Sequence, residues 1–184
     1  MATALIVIDV QNGFGDPQWG QRNNPDAEQH IAALAQAWQQ AGDPIVVVRH
    51  DSVLPTSPLR PGQPGNDLQP ILSGIRPALL FGKSVNSAFH GEADLHVWLQ
   101  RRGITEIVLC GIQTNMCVET TARVGGNLGY DVTFAIDATY TFDAKGPGGS
   151  VLTADQLAAA TAANLHDGGF AKVLATAVVL GERG

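Results

Sequence analysis

Short runs of four or five largely apolar residues, rich in β-branched side chains, recur along this chain and decide what it can fold into. They are Leu5–Ile8, Ile45–Val48, Ala78–Phe81, Ile107–Cys110, Val132–Ile136 and Lys172–Ala175. Near-continuous apolar runs of this length suit strands buried on both faces, as in a parallel sheet. Between them lie segments of helical period. In Pro25–Ala41 the residues Ala27, Ile31, Leu34, Ala35, Trp38 and Ala41 form one stripe, with Asn24 expected as its cap, Pro25 in its first turn and Gly42 at its end. Asp94–Arg101, Asn115–Leu128 and Thr153–His166 read as further helices, with Gly103, Gly129 and Gly168 as terminators. Strands alternating with helices imply βαβ units with right-handed crossovers. The expected fold is therefore α/β, a three-layer, Rossmann-like sandwich whose mostly parallel sheet is covered by helices on both faces.

The length of 184 residues suits one domain, 1–184, and no repeat or linker divides it. At 45 % hydrophobic and 15 % charged, the chain is too apolar for a disordered one. The net charge of -6, without runs of like charge, argues against nucleic acid or an anionic membrane as partner. A small uncharged or cationic molecule suits that balance better. Near the start, Met1-Ala2-Thr3-Ala4 carries no basic stretch, and the apolar run after it stops at Asp9, unlike a signal peptide or a membrane span. Two cysteines, Cys110 and Cys117, read as free thiols in a reducing cytoplasm rather than as a disulfide framework.

In parallel α/β sheets the ligand sits at the carboxyl ends of the strands, and the polar residues at those ends are the candidates for chemistry. Asp9 follows the first strand, with Gln11, Asn12 and Phe14 expected to face the same cleft; its bland reading is a carboxylate capping a turn or pairing a structural arginine. Lys83 follows the third, where a lone lysine is ordinarily a solvated charge. Cys117 falls at a strand–turn–helix junction after Ile107–Cys110, where free N–H groups and the helix dipole favour a thiolate. A neighbouring Lys83 would lower its pKa further. The bland reading, a buried cysteine acting as a small hydrophobe, suits Cys110 instead. Together the three imply nucleophilic catalysis, with Asp9 carrying the thiol proton to the leaving group and Lys83 holding the pair charged. Backbone N–H donors in the turn would meet the oxyanion, and losing one such donor costs about two to four kcal/mol of transition-state stabilisation. Two irregular stretches, Gly13–Asn23 and Asp51–Pro77, and with them the glycine-containing Ala138–Ser150, are expected around the pocket, Asp51–Pro77 as a wall.

These motifs resemble those of the isochorismatase-like cysteine hydrolases, a superfamily that includes nicotinamidases, N-carbamoylsarcosine amidases and isochorismatases. The likeness runs through Ala4-Leu5-Ile6-Val7-Ile8-Asp9-Val10-Gln11, Lys83-Ser84-Val85-Asn86-Ser87-Ala88-Phe89 and Gly111-Ile112-Gln113-Thr114-Asn115-Met116-Cys117-Val118. It continues into Glu119-Thr120-Thr121-Ala122-Arg123 and Gly129-Tyr130-Asp131-Val132, and so covers nearly the whole chain. The resemblance implies an Asp9–Lys83–Cys117 triad on a six-stranded sheet. It also implies a non-proline cis peptide from Ile112 to Gln113, aiming the N–H groups of Gln113 and Cys117 at the oxyanion. Homodimers or higher homo-oligomers that share pocket walls are implied as well.

One departure stands out. Nicotinamidases build a metal site from an aspartate and at least two histidines on the loop after the second strand, whereas this chain has His50-Asp51 there and no further histidine until His90. A catalytic zinc takes three protein ligands, so no metal or other cofactor is expected, and nicotinamide is a poor candidate substrate. His50 reads as a strand-end residue hydrogen-bonded in the fold; His30, His90, His96 and His166 lack ligand spacing. True isochorismatases cleave a vinyl ether without needing the thiol, so a kept Cys117 favours a small amide, lactam or carbamoyl group. The metal-free group with streptothricin hydrolase-like amidases is the nearest in kind. Vinyl ether hydrolysis with Asp9 as acid is the second reading, and an inactive binding protein on the same fold the third. Phe14, Trp19, Phe89 and Tyr140 are expected to line a ring-binding pocket, with core or subunit interface as the alternative.

Overall fold

A computed structural model describes residues 3–182. Met1, Ala2, Arg183 and Gly184 lie outside the described residues. Each apolar run forms a strand: β1 (Thr3–Ile8), β2 (Ile45–His50), β3 (Leu79–Lys83), β4 (Glu106–Ile112), β5 (Asp131–Tyr140) and, after a short hairpin, β8 (Lys172–Leu174). They build one six-stranded sheet in the order β3-β2-β1-β4-β5-β8, every neighbouring pair parallel. The hairpin of β6 (Ala144–Lys145) and β7 (Val151–Leu152) stands apart from that sheet.

Helices cover both faces, as the near-absence of polar residues in the runs requires. On one face Ile31, Leu34, Ala35 and Trp38 of α1 (Ala27–Ala41) pack with Val179 of α5 (Thr176–Gly181) against Leu5, Val7, Val47 and Val108. On the other, Leu95 and Leu99 of α2 (Leu95–Gln100), Ala122 of α3 (Glu119–Asn127) and Leu165 of α4 (Ala154–Asp167) pack against Ile6, Ile8, Val46, Val48, Ile107 and Leu109. Alternate residues of the same strands thus feed two separate cores, the period of two expected of a pleated strand. The chain runs outward from β1 through β2 to β3, then returns to β4 beside β1 and proceeds the other way. The order reverses between β1 and β4, and a crevice opens at such a point.

Three local expectations are corrected. Asn24 does not cap α1. Its own φ is 52°, and its amide donates to the carbonyls of Asp137 and Thr139, tying the start of the helix to β5. The helix expected over Asn115–Leu128 begins as a π-helical turn, Thr114–Val118, and becomes α only from Glu119. Asp51–Pro77 is not irregular throughout: it holds two 3-10 turns, Pro64–Asn66 and Pro70–Leu72, and buries Leu59, Asn66 and Leu72. No helix among the described residues is long and apolar enough to cross a membrane.

Candidate active site

Four consecutive strands of the sheet deliver the site. Lys83 ends β3, His50 ends β2, Asp9 follows β1, and Cys117 lies in the π-helical turn after β4. His50 and Lys83 are register partners across β2 and β3, and Ile8 and Gly111 across β1 and β4. That second pairing is close: a side chain at Gly111, whose φ is +126°, would run into the Ile8 carbonyl, so only glycine lets the chain turn there towards Cys117. The peptide from Ile112 to Gln113 is cis. The Gln113 carbonyl then accepts from the N–H groups of Met116 and Val118, at 3.1 and 3.3 Å, which closes the turn that carries the cysteine.

Asp9 itself sits at φ 54°, a conformation that aspartate tolerates better than most residues. Lys83 Nζ donates to Asp9 Oδ2 at 2.7 Å, and neither side chain is exposed to solvent. Asp9 Oδ1 is buried without a partner, so the carboxylate keeps one acceptor free. A carboxylate oxygen of Asp9, the Cys117 sulfur and a ring nitrogen of His50 all lie within 4.8 Å of one another. Cys117 is 7 % exposed, and its thiol points a long 3.8 Å contact at Asn86 Oδ1. The sequence expectation that brought Asp9, Lys83 and Cys117 together describes this cluster; it did not include His50.

The electrostatics correct one expectation. Burial pushes the Cys117 thiol well above the ordinary cysteine range, the Asp9 charge pushes the same way, and the Lys83 ammonium opposes both. Burial and the Asp9 charge thus favour the protonated thiol over the thiolate expected at a helix start. Burial also raises the Asp9 carboxyl, against the pull of Lys83. A base whose pKa lies above the usual carboxylate range is better able to take a proton and return it.

His50 is the residue that sequence reasoning left outside the site. Its Nδ1 lies 3.2 Å from Lys83 Nζ and 3.9 Å from Asp9 Oδ2. Burial lowers its pKa, with Asp9 opposing and Lys83 reinforcing, so the ring is neutral and its contact with Asp9 is not an ion pair. Asp9, His50 and Cys117 form the only group of three potential metal donors among the described residues. They do not fit a metal, because Lys83 holds a positive charge against two of the three. Asp51 does not complete a site either; Arg49 pairs with it through both carboxylate oxygens, at 2.7 and 2.9 Å, and Asn66 donates to it.

The expected pocket residues divide. Gln11 does not line a cleft: it is fully buried, and its carboxamide is bonded to the backbone of His50 and Asn66. Phe89 stacks on Tyr130 at 5.7 Å within the core beside α2. Phe14, Trp19 and Tyr140 do assemble, with Phe142, but into their own cluster under the 3.5 Å stack of Arg22 on Tyr140. Trp19 is pinned there by its indole N–H on the Gly13 carbonyl, 2.8 Å away. A cavity of about 390 Å³ lies against Phe14, Tyr140 and Phe142, and none of Asp9, Lys83 or Cys117 lines it.

The sequence profile of the isochorismatase domain matches residues 3–176. The chain belongs to the isochorismatase family. An isochorismatase family protein, YrdC of Bacillus subtilis, is 35 % identical over 94 % of this chain and 91 % of its own length. Nicotinamidase 3 of Arabidopsis thaliana is 30 % identical, covering 76 % of this chain and 74 % of that one. A streptothricin hydrolase of Streptomyces noursei is 32 % identical over 76 % of this chain and 50 % of its own. A solved isochorismatase-family structure from Chromobacterium violaceum superposes with a TM-score of 0.91 at 41 % identity, covering 98 % of this chain and 92 % of that one. This isochorismatase-family member is a hydrolase on the expected α/β sandwich.

Proposed function

We propose that the chain is a metal-independent cysteine amidohydrolase that cleaves a C–N bond in a small amide, lactam or carbamoyl compound. One observation carries the reading: the Asp9 carboxylate, ion-paired on one oxygen to buried Lys83 and free on the other, lies within 4.8 Å of the Cys117 thiol. Asp9 takes the S–H proton as sulfur attacks the acyl carbon. The N–H groups of Gln113 and Cys117 meet the resulting oxyanion. Asp9 then gives the proton to the leaving nitrogen, the C–N bond breaks, and a thioester remains on Cys117. Water, deprotonated by Asp9, attacks the thioester; sulfur leaves and is reprotonated, and the acid departs. Lys83 holds Asp9 in place.

The nicotinamidase among the relatives is named for an amidase reaction, which supports the same bond type here. A vinyl ether would instead need only Asp9 as acid. A hydrolysis screen of small amides, lactams and ureas, run on wild type and Cys117→Ala, decides between them. Abolished turnover in the variant, with an acyl mass on Cys117 of the wild type under rapid quench, supports the thiol route. Undiminished turnover overturns it.

The reading extends to the protein's setting. Two free thiols suit a reducing cytoplasm. Val53, Leu54, Val85 and Met116 are exposed apolar residues that follow the carboxyl ends of β2, β3 and β4. Covering them with a second copy makes a homodimer or larger homo-oligomer, which sedimentation equilibrium would detect and a monomer would refute.

A further inference from the structure

His50 touches the Lys83–Asp9 pair and nothing in the reaction outlined above uses it. Its backbone is held on both sides: Gln11 Oε1 accepts its N–H, and its carbonyl accepts from Gln11 Nε2 and Asn66 Nδ2. Such anchoring fixes where the ring hangs, and the ring meets the ammonium at 3.2 Å. An ammonium has donors only, so the ring nitrogen facing it must be the acceptor. That assigns the tautomer: Nδ1 bare, hydrogen on Nε2. Lys83 then donates two of its three N–H bonds within the site, one to Asp9 Oδ2 and one to His50 Nδ1.

We propose that His50 is a positioning residue of this site, whose neutral Nδ1 holds the Lys83 ammonium in the orientation that pairs it with Asp9 beside the Cys117 thiol. With two anchors the ammonium cannot swing wholly onto the carboxylate and take both oxygens, so Asp9 Oδ1 stays free for the thiol proton. When His50 takes a proton from solvent at Nδ1, that nitrogen becomes a donor facing another cation 3.2 Å away. The bond is lost, and the ammonium moves off its place. The charged and titratable groups around the ring are Asp9, Lys83 and Asp51, with the Cys117 thiol within 4.8 Å of it. Asp51 is held by Arg49, and Asp9 by Lys83, so neither carboxylate is free to stabilise an imidazolium. The lowered pKa of the ring agrees with that arrangement.

The inference rests on the cysteine-hydrolase reading for its effect on rate, but its geometry can be tested without a substrate. Long-range ¹H–¹⁵N correlation on the full chain should show His50 at neutral pH with Nδ1 unprotonated and Nε2 protonated. An Nδ1–H tautomer or an imidazolium at pH 7 overturns the proposal. The second test compares His50→Asn, which keeps an acceptor near the Nδ1 position, with His50→Leu, which fills the space without one. On whatever substrate the screen yields, His50→Leu should lose about 10- to 100-fold in kcat with KM little changed, as expected of a group serving acid–base chemistry. His50→Asn should recover most of that loss and shed the acidic limb that His50 gives the wild-type profile. Equal activity of the two variants, or an unaltered acidic limb in His50→Asn, sinks the proposal while leaving Cys117 in its role. Undiminished turnover by Cys117→Ala sinks the amidohydrolase reading instead, and the Asn–Leu comparison still reports on the Lys83–Asp9 pair.

Discussion

Gln11 clasps His50 through the main chain: its Oε1 accepts the His50 N–H at 2.8 Å and its Nε2 donates to the His50 carbonyl at 3.0 Å. The same Nε2 donates to the Asn66 carbonyl at 2.9 Å, so one buried amide ties the end of β2 to the long segment that follows it. Gln11→Ala leaves the His50 N–H without this acceptor and opens a cavity. Burying an unpaired polar group costs about 1–3 kcal/mol; with the cavity added we expect a loss of roughly 2–4 kcal/mol. Urea unfolding would show it as a lower midpoint at unchanged slope. An unshifted midpoint would mean that the clasp contributes nothing.

Lys83 and Asp9 offer a sharper contrast because both side chains are fully buried. Lys83→Met leaves a buried carboxylate without its cation, and breaking such a pair from one side costs about 3–5 kcal/mol. Replacing both partners, Asp9→Asn with Lys83→Met, removes the orphan charge and should return most of the lost stability. Neither protein should turn over an amide. If the double variant is as unstable as the single one, the pair's contribution is packing rather than charge compensation.

Asp9→Asn should separate thiol reactivity from catalysis. In the wild type the Asp9 charge helps to push the Cys117 thiol up, while Lys83 pulls it down. Removing the carboxylate takes away one of the two upward pushes and leaves burial opposed by Lys83, so alkylation of Cys117 by iodoacetamide near pH 7.5 should become faster. Amide hydrolysis should vanish at the same time, because the base is gone. Rates followed by mass spectrometry on each cysteine would report this directly, with fully buried Cys110 as the internal control. Slower alkylation in the variant would show that Asp9 already acts as the thiol's base in the resting enzyme.

Much of this was legible in the chain because buried parallel strands leave a plain mark. Leu5–Ile8 followed by Asp9, and Leu79–Phe81 followed closely by Lys83, place polar residues where strands end, and the sheet's architecture does the rest. His50 was not legible for a topological reason. It ends β2 as Lys83 ends β3, but only the order β3-β2-β1-β4 sets it between Lys83 and Asp9, and strand order is not written in local periodicity. The π-helical turn over Thr114–Val118 escaped because its composition is that of an ordinary helix start. The aromatic residues stayed open between pocket and core for another reason: aromatic side chains serve a core, a stack or a pocket equally well. Their partners, Tyr130 for Phe89 and Arg22 for Tyr140, are set by tertiary structure alone.

Two side chains beside the site should divide the acid side of the stability profile into separate steps. His50 is held below its ordinary value of 6.5, chiefly by burial. Above pH 6.5 it is neutral in both states and costs nothing. As the pH falls below 6.5 the unfolded chain takes up a proton that the folded ring still refuses, so stability declines until the folded value is passed. Asp51 is likewise held below its ordinary 3.8, in its case by the hydrogen bond from Arg49. Its stabilisation is complete above pH 3.8 and is lost as the pH drops through the lower folded value. Urea unfolding at intervals from pH 8 to pH 3 should therefore show an early decline that His50→Asn reduces and a later one that Asp51→Asn reduces. A profile for His50→Asn that keeps the wild-type decline below pH 6.5 would assign that proton to another group.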